Sequence, residues 1–275
     1  MSISVLILTK NEQQDLPECL ASVIWSNDIH VLDSGSTDNT LHVAEEAGAK
    51  VSVRPFDGYA SQRNAGLSLP FLNEWILILD ADERIPPSLV DELLAFVRQA
   101  PTSVAAARFR RRDIWWGRWL KNAQISPFYI RLVRKGRAHY EREINEVLMV
   151  DGEVVDLHGY FDHYPFSKGM DHWITKHNIY SRMEAQLIAQ RQIADHSWGK
   201  ALFGRDFNER RLHQKAIFYK LPGRPFVKFF YMFFLRRAFM DGWPGVRYAL
   251  VQSIYEYFIV LKTKEIDFRS RNGFF

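Results

Sequence analysis

The sequence predicts an α/β fold, a mostly parallel sheet flanked by helices, followed by a helical, aromatic-rich C-terminal extension. Three observations predict it. Apolar runs of strand length at residues 3–8, 29–32 and 75–79 alternate with segments of helical periodicity, which is the rhythm of βαβ units. A polar cluster follows each of those runs, as expected where ligands bind outside the carboxyl ends of parallel strands. The 20 Phe residues lie mainly in the second half, so the two halves do different jobs.

Residues 3–8 form the first buried strand. Asp15-Leu16-Pro17-Glu18 then reads as a capping box with proline in the first turn, and Leu16, Leu20, Val23 and Ile24 follow at helical spacing. The second strand, 29–32, runs into Asp33-Ser34-Gly35-Ser36-Thr37-Asp38, after which 41–47 is helical and stops at Gly48. Residues 50–54 are a third strand. The fourth, Trp75-Ile76-Leu77-Ile78-Leu79, is unbroken apolar, as a strand buried on both faces must be. An amphipathic helix over 88–98 carries Leu89, Leu93, Leu94 and Val97, and strands follow at 104–109 and 128–133. Residues 171–191 form a long helix, and 225–237 and 246–261 two apolar helices.

The totals set bounds on function. At 275 residues, 47% hydrophobic and 25% charged, the chain folds around a sizeable core. A net charge of +4 and a pI near 9.1 suit anionic ligands or an anionic membrane surface without implying nucleic acid. A single cysteine, Cys19, excludes an internal disulfide and fits a reducing compartment. The N-terminal apolar run is interrupted at once by Thr9-Lys10-Asn11-Glu12, so no signal peptide is expected. No stretch is long and apolar enough to span a bilayer. The expected location is the cytoplasm, peripheral to a membrane.

Asp80-Ala81-Asp82 stands at the carboxyl end of the fourth strand. Two carboxylates so close repel each other unless a cation joins them, and hard divalent metals take oxygen ligands. With strand-like alternation across Ala81, both point the same way. The alternative is a solvated acidic turn continued by Glu83 and closed by Pro86-Pro87. Neither Gly-x-Gly-x-x-Gly nor a P-loop is present, so a nucleotide is held otherwise. Gln62-Arg63-Asn64-Ala65-Gly66 adds a cation and amides, and arginine pairs well with a diphosphate.

The ordered set Thr9-Lys10-Asn11-Glu12, Asp33-Ser34-Gly35-Ser36-Thr37-Asp38, Arg63-Asn64-Ala65-Gly66 and Asp80-Ala81-Asp82 resembles glycosyltransferase family 2, the inverting nucleotide-sugar enzymes of GT-A fold. The resemblance implies a catalytic domain over 1–168, with a nucleotide-sugar half at 1–100 and an acceptor half at 101–168, and a helical region over 169–275. It implies that Thr9, Asn11, Glu12, Asp33, Ser34, Gly35, Asp38, Arg63 and Asn64 surround the nucleotide. Asp80 then lies near the ribose or donor sugar, and Asp82 holds a divalent metal, Mg2+ or Mn2+, bridging the diphosphate. The stretch around Asn145-Glu146-Val147-Leu148, and the tail with Phe239-Met240-Asp241-Gly242-Trp243-Pro244-Gly245, resemble the bacterial lipopolysaccharide-core glucosyltransferases of that family. Asn145 stands where histidine is expected.

The second half supplies the remaining candidates. An inverting transfer needs a base for the acceptor hydroxyl: Glu146 is the first choice and Asp113 the second. His163, after another apparent strand, is a candidate further metal ligand. Arg108 to Lys121 interleaves six cations with Phe109, Trp115, Trp116 and Trp119. It reads either as contacts to a phosphorylated saccharide or as a strand edge with arginines lying over buried tryptophans. Arg131 and Arg134 extend the same basic region. The aromatic run 225–237 is bounded by cations, which suits a membrane interface.

The expected protein is an inverting, metal-dependent glycosyltransferase. It takes a sugar, glucose by resemblance, from a UDP-sugar to a lipid-linked saccharide at the inner face of a bacterial membrane, with no nucleic-acid partner. A sugar-nucleotide pyrophosphorylase and a non-enzymatic RNA- or membrane-binding module are the alternatives. The first lacks its glycine-rich triphosphate loop, and the second has no need of carboxylates at three strand ends.

Overall fold

The computed structural model describes residues 2–141, 146–190, 197–204 and 207–273. It contains two compact units, residues 1–119 with 125–168, and residues 120–124 with 169–275.

The first unit is built on one large sheet. The strands are β1 (Ile3–Thr9), β2 (Ile29–Asp33), β3 (Lys50–Val53), β4 (Trp75–Asp80), β5 (Glu83–Arg84), β6 (Val104–Trp115), β7 (Arg118–Trp119), β8 (Phe128–Arg134), β9 (Ala138–Glu141), β10 (Val147–Val150) and β11 (Glu153–His163). Helices α1 (Leu16–Ser22), α2 (Thr40–Glu46), α3 (Tyr59–Leu67) and α4 (Pro87–Gln99) connect the early strands. The order across the sheet is β3-β2-β1-β4-β8-β6-β11-β5, with β7 hairpinned onto β6 and β9-β10 a separate ribbon. The β3-β2-β1-β4 half is parallel, β8 runs antiparallel to both β4 and β6, and β11 is parallel to β6. The sheet is therefore mixed, with one half parallel.

Burial follows the sequence pattern. Ile3, Leu6, Ile7, Ile76, Leu77, Ile78 and Leu79 are all fully buried, because helices cover the parallel strands on both faces. Gly66 lets α3 lie close on that sheet: a Cβ there would stand 2.8 Å from Leu6 Cδ2. Register then brings the strand ends level, Thr9 opposite Asp33 and Leu8 opposite Asp80. Convergence of the polar clusters is thus a product of pairing register, not of loop folding.

Three sequence expectations need correction here. Asp15 does not cap α1 with its side chain; its buried carboxylate instead accepts from Ser167 Oγ at 2.8 Å and pairs with Arg84. The strand expected over 104–109 runs on to Trp115, so the arginines lie within a paired strand. Arg131 and Arg134 do not share a basic surface. Arg134 pairs with Trp75 at the amino end of β4, where it ion-pairs with Glu74, whereas Arg131 contacts Asp80 at the other end.

The second unit is helical: α5 (Gly169–Ala189), α6 (Trp198–Phe203), α7 (Phe207–Phe218), α8 (Arg224–Phe230), a π-helical turn (Tyr231–Leu235), a 3-10 turn (Ala238–Asp241) and α9 (Gly242–Asn272). The long helix α5 is thus present near the expected span, and α9 is much longer than the expected 246–261. Buried Asp241 accepts from the Asn122 and Ala123 backbone N–H groups at 2.8 and 2.7 Å, and Arg236 donates to the Asn122 and Gln124 carbonyls. These bonds fold the 120–124 excursion into the helical unit. Phe226, Phe230, Phe234, Phe239 and Trp243 remain exposed. No helix among the described residues is long and apolar enough to cross a membrane.

Candidate active site

The loops after β1 and β2 are zipped together by their own polar side chains. Fully buried Asp33 accepts at Oδ1 from the Gly35 and Ser36 N–H groups (2.8 and 2.6 Å) and at Oδ2 from Thr9 Oγ1 and Ser36 Oγ (2.8 and 2.5 Å). Gly35 has φ +83°, a conformation glycine takes without steric cost. Asn11 Oδ1 accepts from Thr37 N at 2.8 Å, and Ser34 Oγ from Gln62 Nε2 at 3.1 Å. Asp38 accepts from the Thr40 N–H and hydroxyl at the start of α2, which holds its carboxyl below the usual range despite the opposing effect of burial. Thr9, Asn11, Asp33, Ser34, Ser36, Thr37 and Asp38 thus build a hydrogen-bonded floor.

Glu12 is the exception in that floor. Its Oε1 accepts from Lys168 Nζ at 2.6 Å, while Oε2 is buried without a hydrogen-bond partner. Burial raises its carboxyl to about 7 against the pull of Lys168. Lys168 also donates to Asn11 O at 2.9 Å, and Ser167 to Asp15, so the segment after β11 is latched across the first loop.

At the end of β4, Asp80 sits between two guanidinium groups, 3.2 Å from Arg63 Nη2 and 3.0 Å from Arg131 Nη2. Burial opposes its ionisation, but Arg131 and Arg63 outweigh that and hold it well below the usual carboxylate range. Arg63 continues through Nε to Glu146 Oε1 at 3.2 Å. One guanidinium thus ties the fourth-strand carboxylate to the candidate base. Buried Glu83 pairs with Arg131 and accepts from Asp80 N at 3.1 Å; its burial, with Asp80 and Asp82 nearby, raises it to about 7 despite Arg131. Two buried arginine donors, Arg63 Nη1 and Arg131 Nε, have no hydrogen-bond partner among the described residues, and the Arg63 guanidinium lies over the Tyr140 ring.

The chain turns at Ala81-Asp82 rather than continuing as a strand, so the two aspartates serve different partners. Asp82 Oδ2 lies 3.3 Å from His163 Nε2, and His163 Nδ1 lies 2.6 Å from Asp113 Oδ1. Burial disfavours the imidazolium, yet Asp113 and Asp82 together raise His163 to about 9. Register explains the meeting: His163 pairs with Asp113 on β6 and with Glu83 on β5.

Asn64 has a different place from its neighbours. Its amide donates to Tyr140 O at 2.8 Å and accepts from Tyr140 N at 2.7 Å, which fixes β9. Val147 pairs with Glu141 across β9-β10, so this clamp steadies the strand adjoining Glu146. Asn145 lies outside the described residues. The basic-aromatic stretch is largely neutralised: Arg108 pairs with Asp156, Arg112 with Asp162 and Arg111 with Asp113. Those three are thus held by acids on a strand flanked by β8 and β11, which corrects the strand-edge reading as to the edge. Sequence reasoning missed the role of Lys168, for which no motif gave a signal. It named Glu83 only in the alternative of a solvated turn and placed Arg131 in one basic region with Arg134, although adjacency to Asp82 and the odd position of Arg131 in an apolar strand were visible.

Comparison with known proteins gives the class. Residues 4–153, more than half of the chain, match the family model described as Glycosyl transferase family 2. An uncharacterized glycosyltransferase of Rickettsia typhi is 28% identical over 284 residues, covering 98% of this chain and 89% of its own. The lipopolysaccharide core biosynthesis glycosyltransferase LpsC of Rhizobium meliloti is 27% identical over 273 residues, covering 95% and 92%. Among solved structures, S. aureus TarS 1-349 aligns with a TM-score of 0.46 at 15% identity, over 99% of this chain and 92% of that one. The chain, with its GT-A architecture and its polar clusters level at the strand ends, belongs to glycosyltransferase family 2 and is a glycosyltransferase.

Proposed function

We propose that the chain transfers a hexose, glucose in this reading, from a UDP-sugar to a lipid-linked saccharide such as the lipopolysaccharide core, with inversion and with a divalent metal, Mg2+ or Mn2+. The observation that carries the reading is Asp82 beside His163 Nε2 at 3.3 Å while Asp113 holds Nδ1; the imidazole would give up its Nε2 proton on taking a metal. A ligating histidine characteristically has its second nitrogen fixed by a carboxylate. The described residues contain no cluster of three or more His, Cys, Asp or Glu suited to a metal. One carboxylate and one imidazole would leave a hard cation to take its other ligands from water and substrate phosphates. Asp82 and His163 would hold the cation, whose charge offsets that developing on the departing diphosphate.

This chain's own residues account for the other steps. Thr9, Asn11, Asp33, Ser34, Gly35 and Asp38 form the floor beneath the nucleotide, with the open oxygen of Glu12 available to a ribose or base donor. Asp80 lies beside the ribose or donor sugar, and the open Nη1 of Arg63 suits a diphosphate oxygen. Glu146 takes the acceptor proton. The acceptor oxygen attacks the anomeric carbon as the bond to the diphosphate oxygen breaks, so the configuration inverts without a covalent intermediate. Geometry favours Glu146 over Asp113: the Asp113 side chain is 1% exposed and committed to His163, and that of Glu146 is 23% exposed.

The lipid-linked acceptor draws on the similarity to LpsC and on the exposed aromatics of the helical unit, Phe226, Phe230, Phe234, Phe239 and Trp243. With flanking cations such a surface enters a membrane interface. The protein is read as peripheral, on the cytoplasmic face of the inner membrane. Thermal denaturation with UDP, GDP and CDP, each with and without Mn2+, tests the donor site. UDP with Mn2+ should raise the midpoint by roughly 5–10 °C at a hundredfold excess over Kd, and Asp82→Ala should lose the metal-dependent part. An equal response of Asp82→Ala to Mn2+ would remove the metal assignment, and no response to UDP at several millimolar would remove the donor site.

A further inference from the structure

The hairpin tip between β6 and β7 has a backbone at odds with its residue. Trp115 pairs with Arg118, leaving Trp116 and Gly117 as a two-residue turn with φ of +48° and +69°. Such turns favour Asn-Gly or Asp-Gly, because both central residues need positive φ. A bulky residue there is a genuine outlier, and outliers of this kind gather at binding sites. Trp116 is also 61% exposed. Backbone preference alone therefore does not explain a tryptophan at this position.

Its surroundings point to a use. Trp115 is buried and stacks on Phe166 with ring centroids 4.3 Å apart, and Trp116 rests on Trp115 at 4.9 Å. Phe166 follows His163 by three residues. On the other arm, Asp113, the partner of His163 Nδ1, lies three residues before Trp116, about 10 Å along an extended strand. The exposed indole is thus braced on both arms to the end of the sheet that carries Asp82 and His163. Arg118 is exposed and makes no ion pair or hydrogen bond among the described residues, unlike Arg108, Arg111 and Arg112, which face acids.

We propose that Trp116 is a stacking platform for the acceptor saccharide, and that Arg118 pairs with an anionic group, a phosphate or carboxylate, on that saccharide. The proposal rests on the acceptor being a glycan. A flat indole matches the apolar face of a sugar ring, and a rigid two-strand arm holds it without ordering cost. A guanidinium free of internal acids matches an anionic substituent. The site sits outside the donor floor, so donor and acceptor binding are separable.

The test uses the full-length protein and a deacylated, phosphorylated lipopolysaccharide core oligosaccharide, with its dephosphorylated form as control. Binding is followed by saturation-transfer NMR and equilibrium dialysis. UDP-glucose hydrolysis without acceptor reports the donor site. Trp116→Asn, the favoured hairpin residue, should melt at or above the wild type, retain hydrolysis, and bind the oligosaccharide roughly tenfold more weakly. Trp116→Tyr should recover most of the affinity. Arg118→Ala should weaken only the phosphorylated form. Wild-type affinity in Trp116→Asn overturns the platform, as does failure of the wild-type protein to bind either oligosaccharide. In the latter case retained hydrolysis leaves the donor reading standing, and its loss removes that reading separately. Tight, salt-dependent binding of a single-stranded oligoribonucleotide through Trp116 would reassign the tip to nucleic acid.

Discussion

The two ends of the central strands carry charge networks of similar burial and opposite completeness. At the amino end, Asp28 accepts at Oδ2 from Ser4 Oγ (2.5 Å) and Leu72 N (2.7 Å), and at Oδ1 from Lys50 Nζ (2.7 Å) and His30 Nε2 (3.0 Å). Burial opposes its charge, but these partners hold it far below the usual carboxylate range. Arg134 there is matched by Glu74 and two backbone carbonyls, and the neutral Trp75 indole N–H has no hydrogen-bond partner among the described residues. At the carboxyl end, Arg63 Nη1, Arg131 Nε and Glu12 Oε2 are buried without hydrogen bonds among the described residues. Buried polar atoms are normally satisfied. A closed network stabilises the fold; an open one offers donors and an acceptor that a ligand could complete.

The comparison predicts that substitutions at the two ends separate activity from stability. The largest effect should be at the open end. Asp82→Asn should lower kcat roughly a thousandfold, a loss of about 4 kcal/mol in transition-state stabilisation, with a midpoint within a few degrees of wild type. Steady-state transfer beside a thermal melt reads both quantities. A variant that melts early in proportion to its lost activity would mean that Asp82 is structural, and the contrast between the ends would fail.

The next effect in size should be at the closed end. Asp28→Ala leaves Ser4 Oγ, the Leu72 N–H and half-exposed Lys50 without their acceptor, a change worth about 3 kcal/mol of unfolding free energy. Below its lowered melting temperature, kcat should match the wild type. Urea unfolding of the two variants side by side is the direct measurement, since a change in midpoint at constant slope reports stability alone.

These expectations also mark how much was legible beforehand. The strands were visible because unbroken apolar runs leave few alternatives, and the polar clusters were visible because they interrupt those runs. Their level alignment was not, because register depends on cross-strand partners such as Thr9 with Asp33. Asp82, His163 and Asp113 were each named from sequence, yet their contact depends on β5 and β6 both pairing with β11, over 50 residues of separation and more. The two-residue strand β5 gives no periodic signal at all. Asp15 shows the opposite failure: the local pattern of a capping box was clear, and a tertiary partner, Ser167, took the carboxylate.

The smallest expected effect is the most specific to the open end, because it carries a sign. Glu12 is held near pH 7 by burial, above its value in an unfolded chain of about 4.3. The folded protein therefore binds this proton more tightly than the unfolded chain does. The associated stability is fully present below about pH 4.3 and is lost as pH rises through about 7. Glu12→Gln cannot ionise and keeps an acceptor for Lys168. It should equal the wild type near pH 4.5 and exceed it at pH 8 by about 1–2 kcal/mol, allowing for partial exposure. The same substitution should weaken UDP binding. If the open oxygen receives a nucleotide donor, binding favours the ionised carboxylate and wild-type affinity rises between pH 6 and 8. Glu12→Gln would lack that rise, and comparison of the two cancels the nucleotide's own titration. A variant that gains stability at pH 8 and loses affinity would show that the open network is maintained against the stability of the fold. One that gains stability and binds UDP unchanged would show that Glu12 is merely buried, and that Arg63 and Arg131 are the groups a ligand completes.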